Sequence, residues 1–248
     1  MRLTRFLAVF LVLFLLSACG GPKEGGLLSW FKKDQELEAP DPELSQLINR
    51  ALKYYRKGFW EMAEEAFRAI RDRYPDTPYA LWAELKLADC KFYAKNYLEA
   101  IVLYEEFEKL HPTNEAIPYV IFQIGTCYYK LMLSPDRDQS FTKKAIENYE
   151  RLIDRFPDSP YTQEARKRIR ECRERLGAHE LYVAKFYFRT KRWRAAYWRL
   201  LYLLQTYPDT RAAEEARPLA SKYYAKALEE TRKLAEGTLK DFWGRPYR

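Results

Sequence analysis

The sequence is poor in the residues that break helices or favour strands. Glycine accounts for only 9 of its 248 residues, and valine and isoleucine together number 14. β-Branched residues are enriched in strands and glycine in their tight turns, so a β-sandwich or β-barrel is excluded as the main architecture. Alanine, leucine, glutamate, lysine and arginine are abundant instead, and all of them favour helices. The composition therefore predicts an all-α fold, with 48% hydrophobic residues available for its core.

No apolar run is long enough to span a membrane, which takes about 20 residues. The run at the N-terminus extends only from Phe6 to Leu16 and follows two arginines. A short apolar run that ends in small residues is typical of a signal peptide rather than of a membrane helix. We therefore assign residues 1–18 to a signal peptide.

The sequence Leu16-Ser17-Ala18-Cys19 lies at the end of this run. It resembles the lipobox of bacterial lipoproteins, in which cleavage makes the cysteine the first residue of the mature chain. The resemblance implies an S-diacylglycerol and an N-acyl lipid on Cys19, and more than one acyl chain is what stable anchoring requires. Glycine rather than aspartate at position 20 implies the outer membrane, facing the periplasm. The alternative is an ordinary secretory signal with a chance cysteine.

Sulfur and imidazole groups are scarce in the rest of the chain. An odd number of cysteines follows Cys19, which argues against a disulfide framework in an oxidising compartment. All three lie in apolar, helix-like stretches, so we expect them to be small buried residues. The two histidines stand apart from any ligand-spaced partner, and we expect neither a metal site nor a cofactor. These residues are Cys90, Cys127, Cys172, His111 and His179.

Residues 19–40 consist largely of glycine, proline and charged residues around one apolar segment. This composition is typical of a flexible tether. The segment 27–33, Leu-Leu-Ser-Trp-Phe-Lys-Lys, is apolar and then basic. It fits contact with lipid headgroups, docking on a partner, or an inert linker.

Four similar proline-centred segments recur after the tether, and each predicts the end of one helix and the start of another. Aspartate, serine or threonine follows each proline and can cap the next helix. Small residues recur 12 positions before the prolines, and large apolar residues recur 8 positions before them. A further small residue lies 24 positions before each proline, if the insert that precedes Pro157 is left out of the count. The prolines are Pro75, Pro112, Pro157 and Pro208. The three sets are Ala63, Ala100, Ala145 and Ala196; Phe67, Tyr104, Tyr149 and Leu200; and Ala51, Ala88, Gly125 and Ala184.

This spacing resembles the tetratricopeptide (TPR) repeat, a helix–turn–helix unit of about 34 residues. We predict a TPR-like α-solenoid of about five helix pairs, or about ten helices, over residues 41–236. The extra length between the later prolines is assigned to a loop at 134–140 and an added helical stretch at 161–176. The predicted repeats are 44–77, 81–114, 118–159 and 161–210, followed by a helix at 211–236 and a tail at 237–248.

The sequence favours binding over catalysis. It contains no nucleophile elbow, glycine-rich phosphate loop or His–Glu zinc pair, so we do not expect an enzyme. In a solenoid the first helix of each pair lines a concave surface. Aromatic side chains with a few polar tips there suit an extended or strand-like peptide, although such aromatics also serve as packing. The predicted groove residues are Leu52, Tyr55, Arg56, Trp82, Asp89, Tyr93, Tyr119, Phe122, Thr126 and Tyr129.

Charge is unevenly distributed along the chain. Residues 161–199 contain 12 lysines and arginines against 4 acidic residues, whereas residues 41–114 contain 11 against 13. A basic field of this kind steers an acidic partner; the alternative is a solvated face with no partner. Aromatics between the basic residues also resemble a nucleic-acid surface, but export from the cytoplasm argues against nucleic acid. The predicted partner-docking residues are Arg189, Arg192, Arg194 and Arg199.

Taken together, these features resemble the ComL-type (BamD) lipoproteins of the β-barrel assembly (BAM) machinery in Gram-negative outer membranes. The resemblance covers about residues 40–230. It is carried by the lipobox, the tether, the repeats, and the segments Asp136-Arg137-Asp138, Arg155-Phe156-Pro157-Asp158-Ser159-Pro160-Tyr161-Thr162, Ala184-Lys185-Phe186-Tyr187 and Tyr207-Pro208-Asp209-Thr210.

The resemblance implies a non-catalytic scaffold. Its amino-terminal repeats would receive the signal strands of unfolded outer-membrane proteins. Its carboxyl-terminal repeats would dock on a POTRA domain of the Omp85-type insertase, beside other BAM lipoproteins, and Arg199 matches an arginine of the docking helix. The alternative is a TPR lipoprotein that pilots secretin or pilus assembly.

Overall fold

The computed structural model describes residues 40–238, and it confirms the all-α fold. A short 3₁₀ turn, Arg217–Leu219, joins the last two α-helices. The α-helices, numbered in chain order, are α1 (Pro42–Arg56), α2 (Trp60–Arg73), α3 (Pro78–Tyr93), α4 (Tyr97–Leu110), α5 (Ile117–Lys130), α6 (Ser140–Arg155), α7 (Thr162–Arg189), α8 (Trp193–Thr206), α9 (Arg211–Ala216) and α10 (Ala220–Ala235).

The helices stack in chain order. The chain divides into two units, residues 1–42 and 43–248, and the packing described here belongs to the second. From α2 to α8 each helix packs against the next one, and α10 packs against α8. At the amino-terminal end, the ring of Tyr55 in α1 meets the ring of Phe67 in α2 edge-on, with 6.0 Å between centroids. Such neighbour-to-neighbour packing is the organisation of an α-solenoid.

The four prolines end their helices in the same way. The residue before each one has φ between −139° and −127° and ψ between 50° and 65°, and its N–H donates to the carbonyl four residues earlier. A proline disfavours the helical conformation in the residue that precedes it. The expected side-chain cap of the following helix is formed by Thr210, whose hydroxyl accepts from the Ala213 N–H at 3.3 Å. The caps of α3, α5 and α7 use no such bond.

The recurring small and large residues form the core. The four alanines 12 positions before the prolines and the four large residues 8 positions before them are all fully buried. A β-carbon on Gly125 would lie only 2.8 Å from Cε1 of Tyr149, so α5 and α6 approach as closely as the absence of a side chain allows. The register derived from the sequence is therefore confirmed by burial.

Of the two stretches that lengthen the spacing between the later prolines, one is a loop and the other is helical. Residues 131–139 join α5 to α6 without a helix, and Nδ1 of His179 donates to the carbonyl of Pro135 at 2.6 Å, which attaches this loop to α7. The added helical stretch is continuous with the helix that follows it. Together they form α7, which has 28 residues, whereas its neighbours α6 and α8 have 16 and 14.

Several sequence assignments lie outside the described residues. These are the signal peptide, Cys19, most of the tether with its segment 27–33, and residues 239–248. Within residues 40–238, no helix has both the length and the apolar character needed to cross a membrane.

Candidate functional site

An aromatic cluster joins α1, α2 and α3 at the amino-terminal end of the solenoid. Trp60 stacks on Tyr93 with 5.1 Å between centroids, and Tyr55 meets both rings edge-on at 5.4 and 5.8 Å. The ammonium group of Lys86 lies 4.8 Å from the centre of the Tyr55 ring. Burial is the main cause of the raised pKa values of Tyr55 and Tyr93. Both phenols therefore stay neutral and present apolar surface with a polar tip.

Asp89 lies behind this cluster and is fully buried. Its carboxylate accepts hydrogen bonds from the hydroxyls of Tyr104 at 2.6 Å and Tyr119 at 2.7 Å, and from Nζ of Lys86 at 2.8 Å. A buried charge is tolerated only when it is paired and hydrogen-bonded. Burial and the nearby carboxylate hold the pKa values of both tyrosines well above the usual range. The network thus links α3, α4 and α5 from within.

A second aromatic cluster lies where α5 meets the start of α7. Phe122 stacks on Tyr161 with 5.1 Å between centroids, and Tyr119 lies 5.8 Å from Tyr161. The guanidinium of Arg168 also lies over the Phe122 ring, 4.7 Å from its centre. An arginine over an aromatic face is a stabilising cation–π arrangement.

Arg168 also connects three helices through hydrogen bonds. Its Nη1 donates to Oγ1 of Thr126 at 2.6 Å and to the hydroxyl of Tyr149 at 3.0 Å, and its Nε donates to Glu164 at 3.0 Å. Thr126 in turn donates to the carbonyl of Phe122 at 2.7 Å. Arg168 therefore fixes α7 against α5 and α6.

The ten predicted groove residues differ in exposure. Four are buried: Trp82, Asp89, Phe122 and Thr126. Five are half-buried and one is exposed: Leu52, Tyr55, Tyr93, Tyr119 and Tyr129, and then Arg56. The surface available to a ligand in this set is thus carried mainly by tyrosines and Arg56, while the buried members support them. Among the described residues, the Trp82 indole N–H is a buried donor without a hydrogen-bond partner.

The carboxyl-terminal half presents one side of α8 to solvent. Trp198 is 62% exposed and Tyr202 is 46% exposed, and with the exposed Arg194 they recur every four residues along the helix. Neighbours at this spacing share one helix face. At the α7–α8 turn Arg189 and Arg192 are also exposed, and within residues 40–238 neither they nor Arg194 form an ion pair with an acidic side chain.

Arg199 differs from these arginines because it has a partner in its own chain. Its Nη1 lies 3.0 and 3.3 Å from the two carboxylate oxygens of Glu180. The Glu180 side chain is only 11% exposed, whereas that of Arg199 is 46% exposed. Arg199 therefore neutralises a nearly buried acid and still presents part of its side chain to solvent.

The cysteines are buried in the fold, and His111 contacts an acidic side chain. The three cysteines that the structure describes are free and buried, as expected, and burial raises the pKa values of the Cys127 and Cys172 thiols to about 12. Nε2 of His111 lies 2.8 Å from a carboxylate oxygen of Glu84. No group of three or more potential metal ligands occurs within residues 40–238.

Comparison with known proteins identifies the family. The sequence model of the YfiO family, described as "Outer membrane lipoprotein", matches residues 40–238. The chain belongs to the YfiO family of outer membrane lipoproteins. The resemblance that the repeats carry is thereby confirmed at the level of the family, over residues 40–238.

Curated relatives of this YfiO-family chain are named outer membrane protein assembly factor BamD. The protein from Pasteurella multocida is 30% identical over 235 residues, which cover 91% of this chain and 85% of the relative. The protein from Vibrio cholerae is 29% identical over 212 residues, covering 79% and 88%. The protein from Rickettsia prowazekii is 30% identical over 217 residues, covering 87% and 82%.

Among solved structures, this chain is similar to the one in "Crystal structure of MamA protein". The TM-score is 0.39 and the sequence identity is 18%, and the match covers 79% of this chain and 96% of the other. A similarity at this level supports no conclusion about function.

Sequence reasoning missed three residues that organise the surfaces of this YfiO-family chain. Lys86 and Glu180 are charged residues on helices whose buried sides are apolar, and nothing in the repeat spacing marks them. Arg168 is hidden within a run of basic residues that are mostly exposed. A local signal existed only for Lys86, which lies three positions before Asp89 on the same helix; Arg168 and Glu180 act through residues 42 and 19 positions away.

Proposed function

We propose that the chain is a non-catalytic scaffold in the assembly of outer membrane proteins, the role that names its curated relatives. It would be anchored in the outer membrane through lipids on Cys19 and would face the periplasm. One half would receive unfolded outer-membrane proteins, and the other would dock on the insertase. The observation that carries the proposal is the exposed aromatic and basic side of α8.

That side has the composition of a protein-binding hot spot. Tryptophan, tyrosine and arginine are the residues enriched among those that dominate binding energy. The large rings of Trp198 and Tyr202 are exposed to solvent on the helix α8. The arginines beside them add positive charge to this surface. We assign this surface to the POTRA region of an Omp85-type insertase, with other BAM lipoproteins as further partners. Its partner surface should be acidic, because charge complementarity sets docking register and association rate.

The two aromatic clusters are assigned to the clients. Half-buried Tyr55, Tyr93, Tyr119 and Tyr161 combine apolar rings with hydroxyl tips, and the networks behind them hold the rings in place. Rings that are already fixed lose little conformational freedom when a ligand binds. An extended signal strand of an unfolded barrel protein offers alternating bulky side chains that suit such surfaces.

The docking assignment is tested with the full chain in detergent and purified POTRA domains of the same organism. Trp198→Ala combined with Tyr202→Ala should weaken binding at least about 30-fold, since truncation of a single hot-spot residue costs about 2 kcal/mol or more and each 1.4 kcal/mol is a factor of about ten. Leu98→Ala is the matched control, because Leu98 is 58% exposed on α4. Equal affinities of the two variants for the POTRA domains would exclude docking through α8.

The client assignment is tested by site-specific photo-crosslinking. A photoreactive amino acid replaces either Arg56, in the predicted groove, or Val102, which is exposed on α4. A peptide with the sequence of a barrel signal strand should crosslink at position 56 and not at position 102. Equal yields at the two positions would exclude the groove.

A further inference from the structure

The connections between the helices lie at two opposite edges of the stack. Consecutive helices from α1 to α8 are joined by short connections and therefore run in opposite directions. The connections that contain the four prolines share one edge, the proline edge, and the connections within the helix pairs share the other. Each proline connection carries one exposed acid and neither lysine nor arginine; the acids are Asp76, Glu115, Asp158 and Asp209. An acid near the N-terminus of a helix is favourable, so the helices that follow account for these charges.

The opposite edge is basic at its three-residue turns. Lys57 lies in the α1–α2 turn, Lys95 in the α3–α4 turn, and Lys191 and Arg192 in the α7–α8 turn; all are exposed, and no acid occurs in these turns. The longer loop 131–139 differs, because two aspartates accompany its arginine. Within the part of the chain that the structure describes, neither Lys57 nor Lys95 forms an ion pair with an acidic side chain. Their ammonium groups are therefore available to anions outside the chain.

Lys95 occupies a backbone position that favours glycine. Its φ is +64°, its N–H donates to the carbonyl of Phe92 at 3.0 Å, and the next N–H donates to the carbonyl of Lys91 at 2.9 Å. The same Schellman geometry has a glycine in the α1–α2 turn, where Gly58 has a φ of +73°, and a second lysine in the α7–α8 turn, where Lys191 has a φ of +60°. The left-handed conformation is unfavourable for a residue with a side chain, and a lysine in the preceding helical turn would serve the helix C-terminus as well. The backbone therefore gives no reason for a lysine here, which points to a use for its charge.

Large apolar side chains lie beside these lysines. Phe59 is 49% exposed in the α1–α2 turn, and Leu98 is 58% exposed two residues after the α3–α4 turn. We call residues 57–59 and 94–98 the turn edge. Glu99, which follows it, is already paired with Lys91 at 2.8 Å. Exposed lysines next to large apolar side chains are typical of contact with a membrane interface, where apolar groups enter the headgroup region and basic groups meet anionic lipids.

We propose that the turn edge rests on the anionic phospholipid bilayer to which the chain is anchored, with its two apolar side chains among the headgroups and its lysines on the lipid phosphates. The inference rests on the proposed lipid anchor at Cys19. From there to Pro42 the chain advances 23 residues, which can extend to about 75 Å, whereas α1 is only about 22 Å long. The anchor can therefore reach the turn edge although α1 begins at the other one. Tethering holds the bilayer at a high effective concentration, which favours it over a dilute acidic protein.

Leu98 and Leu110 provide a matched test, because both are 58% exposed on α4 and lie at opposite edges, about 18 Å apart along the helix. The full chain carries a fluorophore on Leu98→Cys or Leu110→Cys and is reconstituted in phosphatidylcholine vesicles with or without phosphatidylglycerol. The three described cysteines are buried and should stay unlabelled. A headgroup-linked quencher should quench the fluorophore at position 98 only in vesicles that contain phosphatidylglycerol, and should spare position 110. Salt at about 1 M, which shortens the Debye length to about 3 Å, should lower the quenching at position 98.

Charge variants provide the second readout. Lys57→Gln combined with Lys95→Gln should lower the ratio of bilayer-bound to free turn edges about 25-fold, since each lysine near an anionic surface contributes a factor of about five. Lys109→Gln combined with Lys167→Gln is the matched control, because it removes the same charge from exposed positions close to the proline edge; it should leave the quenching unchanged. Lys95→Gly should weaken the contact and yet raise the Tm of the full chain by about 1–3 °C, because it removes a left-handed side chain.

The outcomes separate the turn edge from the anchor. Equal quenching at positions 98 and 110 in a vesicle-bound chain would overturn the turn edge and leave the anchor intact, whereas a chain that dissociates from neutral vesicles would refute the anchor and this inference with it. Quenching at position 98 that depends neither on phosphatidylglycerol nor on the two lysines would exclude the charge contact. Protection of position 98 only in the presence of POTRA domains would assign the edge to an acidic protein. A lower Tm in Lys95→Gly would give the lysine a structural role instead.

Discussion

The pair formed by Arg199 and Glu180 has a predictable effect on stability. Removing one member of a fully buried ion pair costs about 3–5 kcal/mol, whereas an exposed pair contributes at most about 1 kcal/mol. Glu180 is nearly buried, but Arg199 is about half-exposed, so we expect Arg199→Gln to lower the free energy of unfolding by about 2 kcal/mol. Glu180→Gln should cost less than about 1 kcal/mol, because Arg199 remains hydrated and the amide still accepts its hydrogen bond.

Urea denaturation of the full chain, followed by far-UV circular dichroism, measures these differences. The variant that carries both Glu180→Gln and Arg199→Gln is the internal control. It should be more stable than Arg199→Gln alone, because it contains no unpaired buried acid. If Arg199→Gln unfolds at the same urea concentration as the parent chain, the Arg199–Glu180 pair does not stabilise the folded chain in solution.

The same pair affects how docking experiments are interpreted. Substitution of Arg199 removes the partner of Glu180 and also changes the proposed docking surface. A loss of POTRA binding in Arg199→Glu therefore does not distinguish a less stable fold from a lost contact with the partner. Glu180→Gln separates them, because it retains the arginine and removes the acid that competes with the partner. We expect this variant to bind POTRA domains at least as tightly as the parent chain. Weaker binding by Glu180→Gln would mean that Glu180 itself contributes to docking.

Three further predictions concern the interior. Gly125→Ala should lower the Tm by about 2–6 °C, since overpacking against Tyr149 costs more than the gain in helix propensity of about 1 kcal/mol; an increase in Tm would show that the helices separate freely. Asp89→Asn should cost about 2–4 kcal/mol in urea denaturation, because it removes the countercharge of a buried lysine and, while the amide oxygen can still accept from the two tyrosines, turns an N–H donor towards Nζ of Lys86; a cost below about 1 kcal/mol would contradict the network. The pKa values of Cys127 and Cys172 are about 12 in the folded chain and near 8.5 in an unfolded chain. The unfolded state therefore loses protons first as pH rises, and the Tm should fall between pH 8 and pH 10; a Tm that rises over this interval would contradict it.

Much of the fold follows from the spacing of a few residue types. Proline fixes where a helix must end. The boundaries of the helix pairs can therefore be predicted from Pro75 and its three counterparts before the packing is known. The buried positions follow because every pair repeats the same helix contact, as the matched burial of Ala63 and Phe67 illustrates. These features are local in sequence, which is why a pattern of offsets is enough to predict them.

Other features depend on residues that are distant in sequence. Spacing does not predict that Arg168 reaches Thr126, 42 positions earlier, or that Arg199 pairs with Glu180. The continuity of α7 is also absent from the pattern, because Gly177 is a weak helix former. In the structure a β-carbon at Gly177 would lie 2.7 Å from Oγ1 of Thr210, so the glycine serves close packing and the helix continues through it.

The length of α7 restricts how the solenoid can deform. The helix runs unbroken from Thr162 to Arg189, and the same rod packs on α6 and on α8. Solenoids commonly flex at the loops between units, but no loop interrupts this rod. The contacts with α6 and with α8 therefore lie on one continuous helix, and a change in the angle between α6 and α8 requires bending α7 or sliding a neighbouring helix along it.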